Sequence, residues 1–334
     1  MKIYKAKLTD KKINICQVSL KGNIPIIIEN YKKFKSYYKD INIFIICPKN
    51  ELKFFKRKIK FHDVFLISEE KLISLKKFKK LFISQSRNYK FRNLFKLRLS
   101  WYYQQILKLS FCFYFVRKFN KKIILWDADT IITKKIIFFN DKYSKSYGTF
   151  NEFHKSYFEI NKRLLGKIPK YFISSIVQFM PLTPIECKSL LKKLRIKTLN
   201  INLIAKSLSI TIFNKIFENN DNYNGSLFSE YELVGMSNLI LKPKPQNVLA
   251  TIRKGLSGCF NPVQLNILEY LNISNVTYEH TYKNKNSLGM LNRKIGWIKF
   301  FLIIIKTLAK FYYNTFRHNI FIMLNLKNLK KIKQ

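Results

Sequence analysis

The stretch ILWDADTIIT, residues 124–133, places two carboxylates, Asp127 and Asp129, one residue apart behind an apolar run. Acids are scarce in this chain, which has 19 Asp plus Glu against 63 Lys plus Arg. A strand that ends in Asp-x-Asp can offer oxygen ligands to Mg²⁺ or Mn²⁺, and such cations usually share them with substrate phosphates. The alternative is a polar turn in which an Asp caps the next element.

A second pair of acids, Glu230 and Glu232, lies in the stretch FSEYELVG, residues 228–235. Ser229 followed three residues later by Glu232 is the pattern of a capping box, which predicts a helix with both acids in its first turn. There they would also interact favourably with the helix dipole.

Polar side chains recur along a long predicted helix, residues 94–119. Trp101, Gln104 and Lys108 stand at positions i, i+3 and i+7, which places them on one face. The alternative to a binding stripe is a boundary helix whose lysine extends its ammonium group to water.

Strands and helices alternate along the first part of the chain and should position these residues. Strands are predicted at 13–18, 41–48, 63–68 and 122–126, and helices at 24–38, 49–58 and 94–119. This alternation predicts βαβ units and a largely parallel sheet, which is an α/β fold. In such sheets ligands bind outside the carboxyl ends of the strands, which is where the acid pair stands.

The second part of the chain continues with predicted strands at 146–153 and 275–280 and helices at 155–166 and 263–272. Thr183, Pro184 and Glu186 form the stretch TPIE, which predicts a capping box and a helix over 184–195.

The formal charge of +44 indicates that the protein works beside anionic molecules or surfaces. Clustered Lys and Arg would suit nucleic acid, but only ten of the cations are Arg, the preferred residue for phosphate and base contacts. Nucleic acid is therefore not the partner that we expect. Five widely spaced cysteines without a C-x-x-C pair predict reduced, mostly buried thiols in a cytosolic compartment.

The end of the chain differs in composition from the rest. No acid follows Glu279, and residues 283–334 contain twelve Lys or Arg. The apolar stretch 295–321 is interrupted by cations on one helical face, namely Lys299, Lys306, Lys310 and Arg317. Central lysines make a spanning helix costly, so the pattern favours a basic amphipathic helix lying on an anionic membrane surface. The alternative is a helix packed on the body with a solvated basic stripe.

Three motifs in order, WYYQQILKL (101–109), WDADTII (126–132) and FSEYELVG (228–235), resemble those of an uncharacterised bacterial family of GT-A-type glycosyltransferases of surface-polysaccharide and lipooligosaccharide assembly. The resemblance covers roughly residues 10–282. It implies a GT-A-like domain at 1–282 with a Rossmann-type, mostly parallel sheet flanked by helices. The tail at 283–334 lies outside the resemblance, and its composition alone predicts a basic, membrane-associating helix. The resemblance also implies a peripheral enzyme on the cytoplasmic face of the bacterial inner membrane.

The resemblance further implies roles for individual residues. Asp129 would bind Mn²⁺ or Mg²⁺ directly, and Asp127 would contact the ribose of the nucleotide, or the metal through water. His280, after the last predicted strand, would be a further metal ligand, or else a polar residue at a strand exit. The remaining donor-binding residues would line the nucleotide pocket: Arg98, Trp101, Gln104 and Lys108.

For catalysis, the resemblance implies a carboxylate base at a helix start. Glu232 would be engaged by the capping box, which leaves Glu230 as the better candidate, unless both glutamates only cap the helix. The donor would be a nucleotide sugar, with UDP as the nucleotide, and the acceptor a surface glycan or a lipid-linked sugar.

Other classes fit the residues less well. A haloacid-dehalogenase-like phosphatase also begins with Asp-x-Asp but wants Thr or Val at the position of Ile131 and a later acid motif. Nucleotidyltransferases want Gly-Ser shortly before the acid pair, whereas Gly225 and Ser226 follow it at a distance. A basic nucleic-acid- or membrane-binding protein without enzymatic activity would bind DNA or vesicles in a metal-independent, salt-sensitive way.

Overall fold

A five-stranded sheet forms the centre of the structure, which is a computed structural model. The structure describes residues 8, 12–86, 98–149, 152, 154–169, 173–218, 227–253, 259–278 and 294–331, with side chains described through Arg317. Its strands are β1 (Ile13–Val18), β2 (Ile41–Cys47), β3 (Val64–Ser68), β4 (Ile123–Trp126), β5 (Thr130–Ile132), β6 (Phe139–Asn140), β7 (Tyr143–Ser144), β8 (Tyr147–Gly148), β9 (Phe179–Leu182), β10 (Asn247–Val248), β11 (Thr251–Ile252) and β12 (Asn275–Thr277). Its α-helices are α1 (Ile24–Tyr37), α2 (Leu52–Lys58), α3 (Leu75–Gln85), α4 (Leu99–Phe119), α5 (Lys155–Leu165), α6 (Pro184–Lys193), α7 (Ile201–Phe217), α8 (Glu230–Leu241), α9 (Pro262–Tyr270) and α10 (Trp297–Lys331).

The order of the strands in the main sheet is β3-β2-β1-β4-β9. The first four strands are parallel and β9 is antiparallel at the edge. All residues of β2 are buried, as expected for a parallel strand that is covered on both faces. The predicted α/β fold with a mostly parallel sheet is therefore confirmed, while β9 and the helices α3 and α7 were not predicted.

Alternate side chains of the central strands enter two different cores. Cys16 is paired in register with Phe44 and Leu125, and all three pack into the cluster formed with α3, α4 and α7. Their neighbours Ile15 and Ile124 pack into the other cluster, with α1 and α2. Because α1 and α4 cover opposite faces, the order of the strands reverses between β1 and β4. In such sheets this is the point where ligands bind, outside the carboxyl ends of the strands.

A second, smaller sheet follows directly from the acid pair. It has the order β11-β12-β5, and β5 begins at Thr130, one residue after Asp129. Ile131 from β5 packs in one cluster with Phe300 and Ile304 of α10. The first turns of α10 are thus packed on the body, as the alternative for the tail proposed, although the same helix also exposes large apolar side chains.

Several predicted elements are present but shorter than predicted. The capping box of Thr183 and Glu186 is present, and its helix ends at Lys193. The strand predicted at 146–153 is reduced to β8 in the described part of that range.

Four of the five cysteines are buried and all five are free thiols. Among the described residues, no helix is long and apolar enough to cross a membrane.

Candidate active site

The turn that carries the two aspartates is fixed by main-chain hydrogen bonds. The N–H of Asp127 donates to the carbonyl oxygen of Gln178 at 3.0 Å, and the N–H of Thr130 donates to that of Asp127 at 3.1 Å. The N–H of Tyr278 donates to the carbonyl oxygen of Asp129 at 2.9 Å. Both carboxylates are half-buried. They stand at the carboxyl end of β4, next to the point between β1 and β4 where the order of the strands reverses.

A buried lysine, Lys108 of α4, joins the acid pair to helix α8. Its Nζ lies 2.6 Å from Oδ1 of Asp127 and forms a second ion pair with Oε1 of Glu230. It also donates to the hydroxyl of Tyr231 at 3.3 Å and lies 4.6 Å from the centre of that ring. One ammonium group is therefore shared by two carboxyl groups.

The pKa values of this group follow from its burial. Burial alone lowers the pKa of Lys108, but Asp127 and Glu230 raise it above its ordinary value, so the lysine stays charged. Burial raises the pKa of Glu230, and the charge of Lys108 opposes that rise. Burial and the nearby carboxylates of Asp127 and Glu230 also raise the pKa of Tyr231, which keeps its hydroxyl protonated.

The start of α8 is held in place by one face of α4. The hydroxyl of Tyr102 accepts a hydrogen bond from the N–H of Leu227 at 3.0 Å, and Oε1 of Gln105 accepts one from the N–H of Glu230 at 3.1 Å. With Lys108, these residues occupy positions i, i+3 and i+6 of α4. The three motifs that were identified separately in the sequence thus meet in one cluster.

The capping box predicted at Ser229 is wrong. Ser229 is the N-cap residue, but its side chain makes no capping hydrogen bond. The carboxyl group of Glu232 instead accepts hydrogen bonds from Oγ of Ser174 at 2.6 Å and from the N–H of Ser175 at 3.0 Å. Gly235 allows this approach, because a Cβ at that position would lie 2.1 Å from Oγ of Ser175. Glu232 therefore fastens α8 to the segment before β9.

We expect Glu232→Gln to change how stability depends on pH. Burial raises the pKa of Glu232 from 4.5 to about 8, so between these values the native protein holds a proton that the unfolded chain has lost. The free energy of unfolding should therefore be highest below pH 4.5 and fall as the pH rises toward 8. Glutamine does not titrate and should flatten that fall. Urea unfolding at pH 5 and pH 8 measures the effect.

The matched control for this prediction is Glu70→Gln. Glu70 is 47% exposed and paired with Lys49 at the surface, so this variant replaces an acid of the same type outside the core. If Glu232→Gln unfolds with the same pH dependence as the parent protein, the neutral state assigned to Glu232 is wrong.

The other residues predicted to bind the donor lie on the first turns of α4. The guanidinium of exposed Arg98 lies 5.9 Å from the centre of the Trp101 ring, and this ring stacks on Tyr157 of α5 at 6.3 Å. Gln104 is half-buried beside them. Their role toward a nucleotide stays a prediction, and His280 lies outside the described residues.

Sequence reasoning missed three contributors to the cluster, Tyr102, Gln105 and Tyr231. Each stands next to a predicted residue, so the motifs themselves pointed to the right segments. One position along a helix rotates a side chain by about 100°, and an error of that size is enough to select the wrong glutamine.

The donor atoms present fit a hard divalent cation that is shared with a ligand. Within the part of the chain that is described, no group of three or more His, Cys, Asp or Glu residues could hold a metal by itself. Mg²⁺, however, is commonly bound by one or two carboxylates together with substrate phosphates. Lys108 occupies one oxygen of Asp127, and Oγ1 of Thr130 lies 3.4 Å from Oδ1 of Asp129. The role of Asp129 as the direct metal ligand stays a prediction.

A surface depression with a volume of about 430 Å³ lies elsewhere. It includes Asn200, whose side chain caps α7 by accepting from the N–H groups of Asn202 and Leu203. Its lining residues are Lys71, Tyr114, Leu199, Asn200, Ile201 and Asn202. None of them belongs to the acid cluster and none carries a carboxylate, so the acids remain the better candidate site.

Solved structures with a similar overall course include three of glycosyltransferases. Mouse xyloside xylosyltransferase 1 in its apo form is 11% identical with a TM-score of 0.40, over 86% of this chain and 96% of that chain. The galactosyltransferase LgtC with donor and acceptor sugar analogues is 9% identical with a TM-score of 0.41, over 86% and 98%. An active-site mutant of LgtC is 9% identical with a TM-score of 0.43, over 88% and 96%.

Among curated proteins, no sequence matches this chain. The sequence profile of a protein family described as a family of unknown function, DUF6492, matches residues 21–238. That range is more than half of the chain and contains Lys108, Asp127 and Glu230, but it ends before α10. The chain therefore belongs to the DUF6492 family.

Proposed function

We propose that this protein is a metal-dependent glycosyltransferase that moves a sugar from a nucleotide-sugar donor, with UDP as the first nucleotide to test, to a surface-glycan or lipid-linked acceptor. The observation that carries the proposal is the cluster of Lys108, Asp127 and Glu230 beside Asp129. It stands at the carboxyl ends of parallel strands, where the order of the strands reverses and ligands of α/β proteins bind. Its carboxylates suit a cation that is shared with phosphate oxygens.

The donor would be held by its diphosphate. Asp129 would bind Mn²⁺ or Mg²⁺ directly, and Asp127 would support it or contact the ribose. When bound, such a cation offsets the negative charge that develops on the diphosphate as it leaves. Lys108 would hold the carboxylate of Asp127 in place, because its buried ammonium group is fixed between two acids.

In the transfer itself, the oxygen of an acceptor hydroxyl forms a bond to the anomeric carbon. The bond from that carbon to the diphosphate oxygen breaks, and its electron pair leaves with the nucleoside diphosphate. The hydroxyl proton must go to a base. Glu230 is our candidate base, because both oxygens of Glu232 are occupied by Ser174 and Ser175 and its raised pKa of about 8 keeps it protonated at neutral pH.

A thermal-shift panel tests the proposal most directly. UDP, GDP, CMP and their sugars are added to the full-length protein with Mn²⁺ or with EDTA. We expect the melting temperature to rise only when a nucleotide and Mn²⁺ are both present, because a ligand that binds the native state alone stabilises it, by about 2.7 kcal/mol at a concentration of 100 Kd. Equal shifts with EDTA, or salt-sensitive binding of DNA without any nucleotide effect, would contradict the proposal.

A further inference from the structure

Helix α10 presents three different faces along its described side chains. One face is buried against the body through Phe300 and Ile304. A second face carries the exposed cations Lys299, Lys306, Lys310 and Arg317. The third, which we call the outer apolar face, consists of Ile298, Phe301, Leu302, Ile305, Tyr312 and Phe316, whose exposed fractions lie between 50% and 81%.

The outer apolar face is continuous. At about 100° of rotation per residue, its six side chains fall within an arc of roughly 100° on the helix surface. Such an arc of exposed aliphatic and aromatic side chains is unusual on a monomeric protein and marks a surface that another phase or partner covers. The part of the body that the structure describes leaves it exposed, while Phe300 and Ile304 of the same helix are buried on another side.

The charges beside this face select its occupant. A second copy of the chain would bring the same cations and a formal charge of +44, which repels. No acid follows Glu279 to pair with those cations. A nucleic acid would match the cations but would leave the apolar side chains in water. An anionic lipid surface satisfies both, because apolar side chains enter the headgroup–acyl boundary while Lys and Arg meet the headgroups.

We infer that α10 docks the protein on an anionic lipid surface, with the outer apolar face inserted and the four cations at the headgroups. The helix lies in the interface, since none of the described helices is apolar enough to span a membrane. Its basic stripe runs along the edge of the inserted face, so both faces can meet the surface at once.

Docking also fixes the acid cluster relative to the lipid. Ile131, two residues after Asp129, packs in the same cluster as Phe300 and Ile304. The helix α10 therefore packs on the small sheet whose strand β5 begins directly after the acid pair. An acceptor that is itself anchored in the membrane would then be presented to the site at a constant height. This last step depends on the proposed function, whereas the docking does not.

Sedimentation of the full-length protein with vesicles tests the docking without any nucleotide. The vesicles contain phosphatidylcholine alone or mixed with phosphatidylglycerol, and we expect binding to the mixed vesicles that weakens with salt. Point variants are used because truncation before α10 would uncover the cluster around Phe300. Circular dichroism and thermal unfolding check that each variant is folded.

Two variants should lose binding. Replacing the four cations with Gln (Lys299, Lys306, Lys310 and Arg317) should cost about fivefold per cation, hence a few hundredfold in all. The triple variant Phe301→Ser, Ile305→Ser and Phe316→Ser should lose at least about tenfold. The matched control replaces three Lys and one Arg of α2, also exposed, with Gln (Lys53, Lys56, Arg57 and Lys58), and it should bind like the parent protein.

Three results would overturn the inference. The first is equal loss in the α2 control, which would assign binding to the total charge. The second is unchanged binding of the triple Ser variant, which would show that the outer apolar face is not inserted. The third is a dimer in sedimentation velocity that the triple Ser variant dissociates while vesicle binding persists, which would assign the face to a second copy. Failure of nucleotide binding or of transfer would leave the vesicle result unaffected.

Discussion

Asp129→Ala is expected to abolish Mn²⁺-dependent binding of UDP or a UDP-sugar while the protein stays folded. The carboxylate of Asp129 is the proposed direct ligand, so the loss should exceed the roughly 10–100-fold that removing a supporting residue of a metal site costs. The fold should persist because the contact with Tyr278 is made by the main-chain carbonyl of Asp129. Calorimetric titration of nucleotide with and without Mn²⁺ measures the effect.

Asp141→Ala is the control for that experiment. Asp141 is exposed, at the start of the turn between β6 and β7, and its removal changes the net charge by the same amount. Nucleotide affinity should be unchanged in this variant. A folded Asp129→Ala protein that binds nucleotide and Mn²⁺ as the parent does would exclude Asp129 as a ligand and move the donor site away from β4.

Glu230→Gln is expected to lower the rate of sugar transfer by about 10²–10⁴-fold, which is the usual effect of removing a general base, and to leave donor affinity within a few-fold. Glutamine preserves the shape of the side chain, and Lys108 keeps its ion pair with Asp127, so the donor site should survive. Turnover and donor binding are measured on the same preparation, together with the pH profile, which should lose its acidic limb.

Glu232→Gln provides the comparison for catalysis as well as for stability. It removes a carboxyl group two residues away that is fastened to Ser174 and Ser175, and transfer should continue. The reverse outcome, with turnover retained in Glu230→Gln and lost in Glu232→Gln, would assign the base to Glu232. Retention in both variants, with NMR showing that the product keeps the anomeric configuration of the donor, would indicate a retaining reaction without either base.

The central strands were predictable because they are buried on both faces, so their sequences are short, continuous apolar runs. Strand β9 was not predictable in the same way. It has four residues and includes Pro181, which lacks an N–H group and is tolerated only because β9 lies at the edge of the sheet. Its place beside β4 depends on antiparallel pairing with a strand more than fifty residues earlier, and local pattern carries no record of that.

The site was predictable in its segments and not in its contacts. Asp127 and Glu230 were both identified, but no local sequence pattern shows that both form an ion pair with the same lysine. The capping-box prediction failed for a related reason. Glu232 accepts hydrogen bonds from Ser174 and Ser175, 58 and 57 residues away, instead of from its own helix start. A helix cap is a local alternative, and a buried tertiary partner outcompetes it when the carboxyl group is removed from water.

The shared ammonium group of Lys108 has a consequence for how this protein can evolve. Replacing it with a neutral residue would leave the buried carboxyl group of Glu230 and the half-buried one of Asp127 without a counter-charge, and breaking a buried ion pair commonly costs about 3–5 kcal/mol. Compensation would require neutral residues at Asp127 and Glu230 as well, since each alone leaves a mismatch. Single-step mutational paths away from this trio therefore pass through unstable intermediates. Substitutions at Lys108, Asp127 and Glu230 should therefore occur together, even where the sequence between them changes freely.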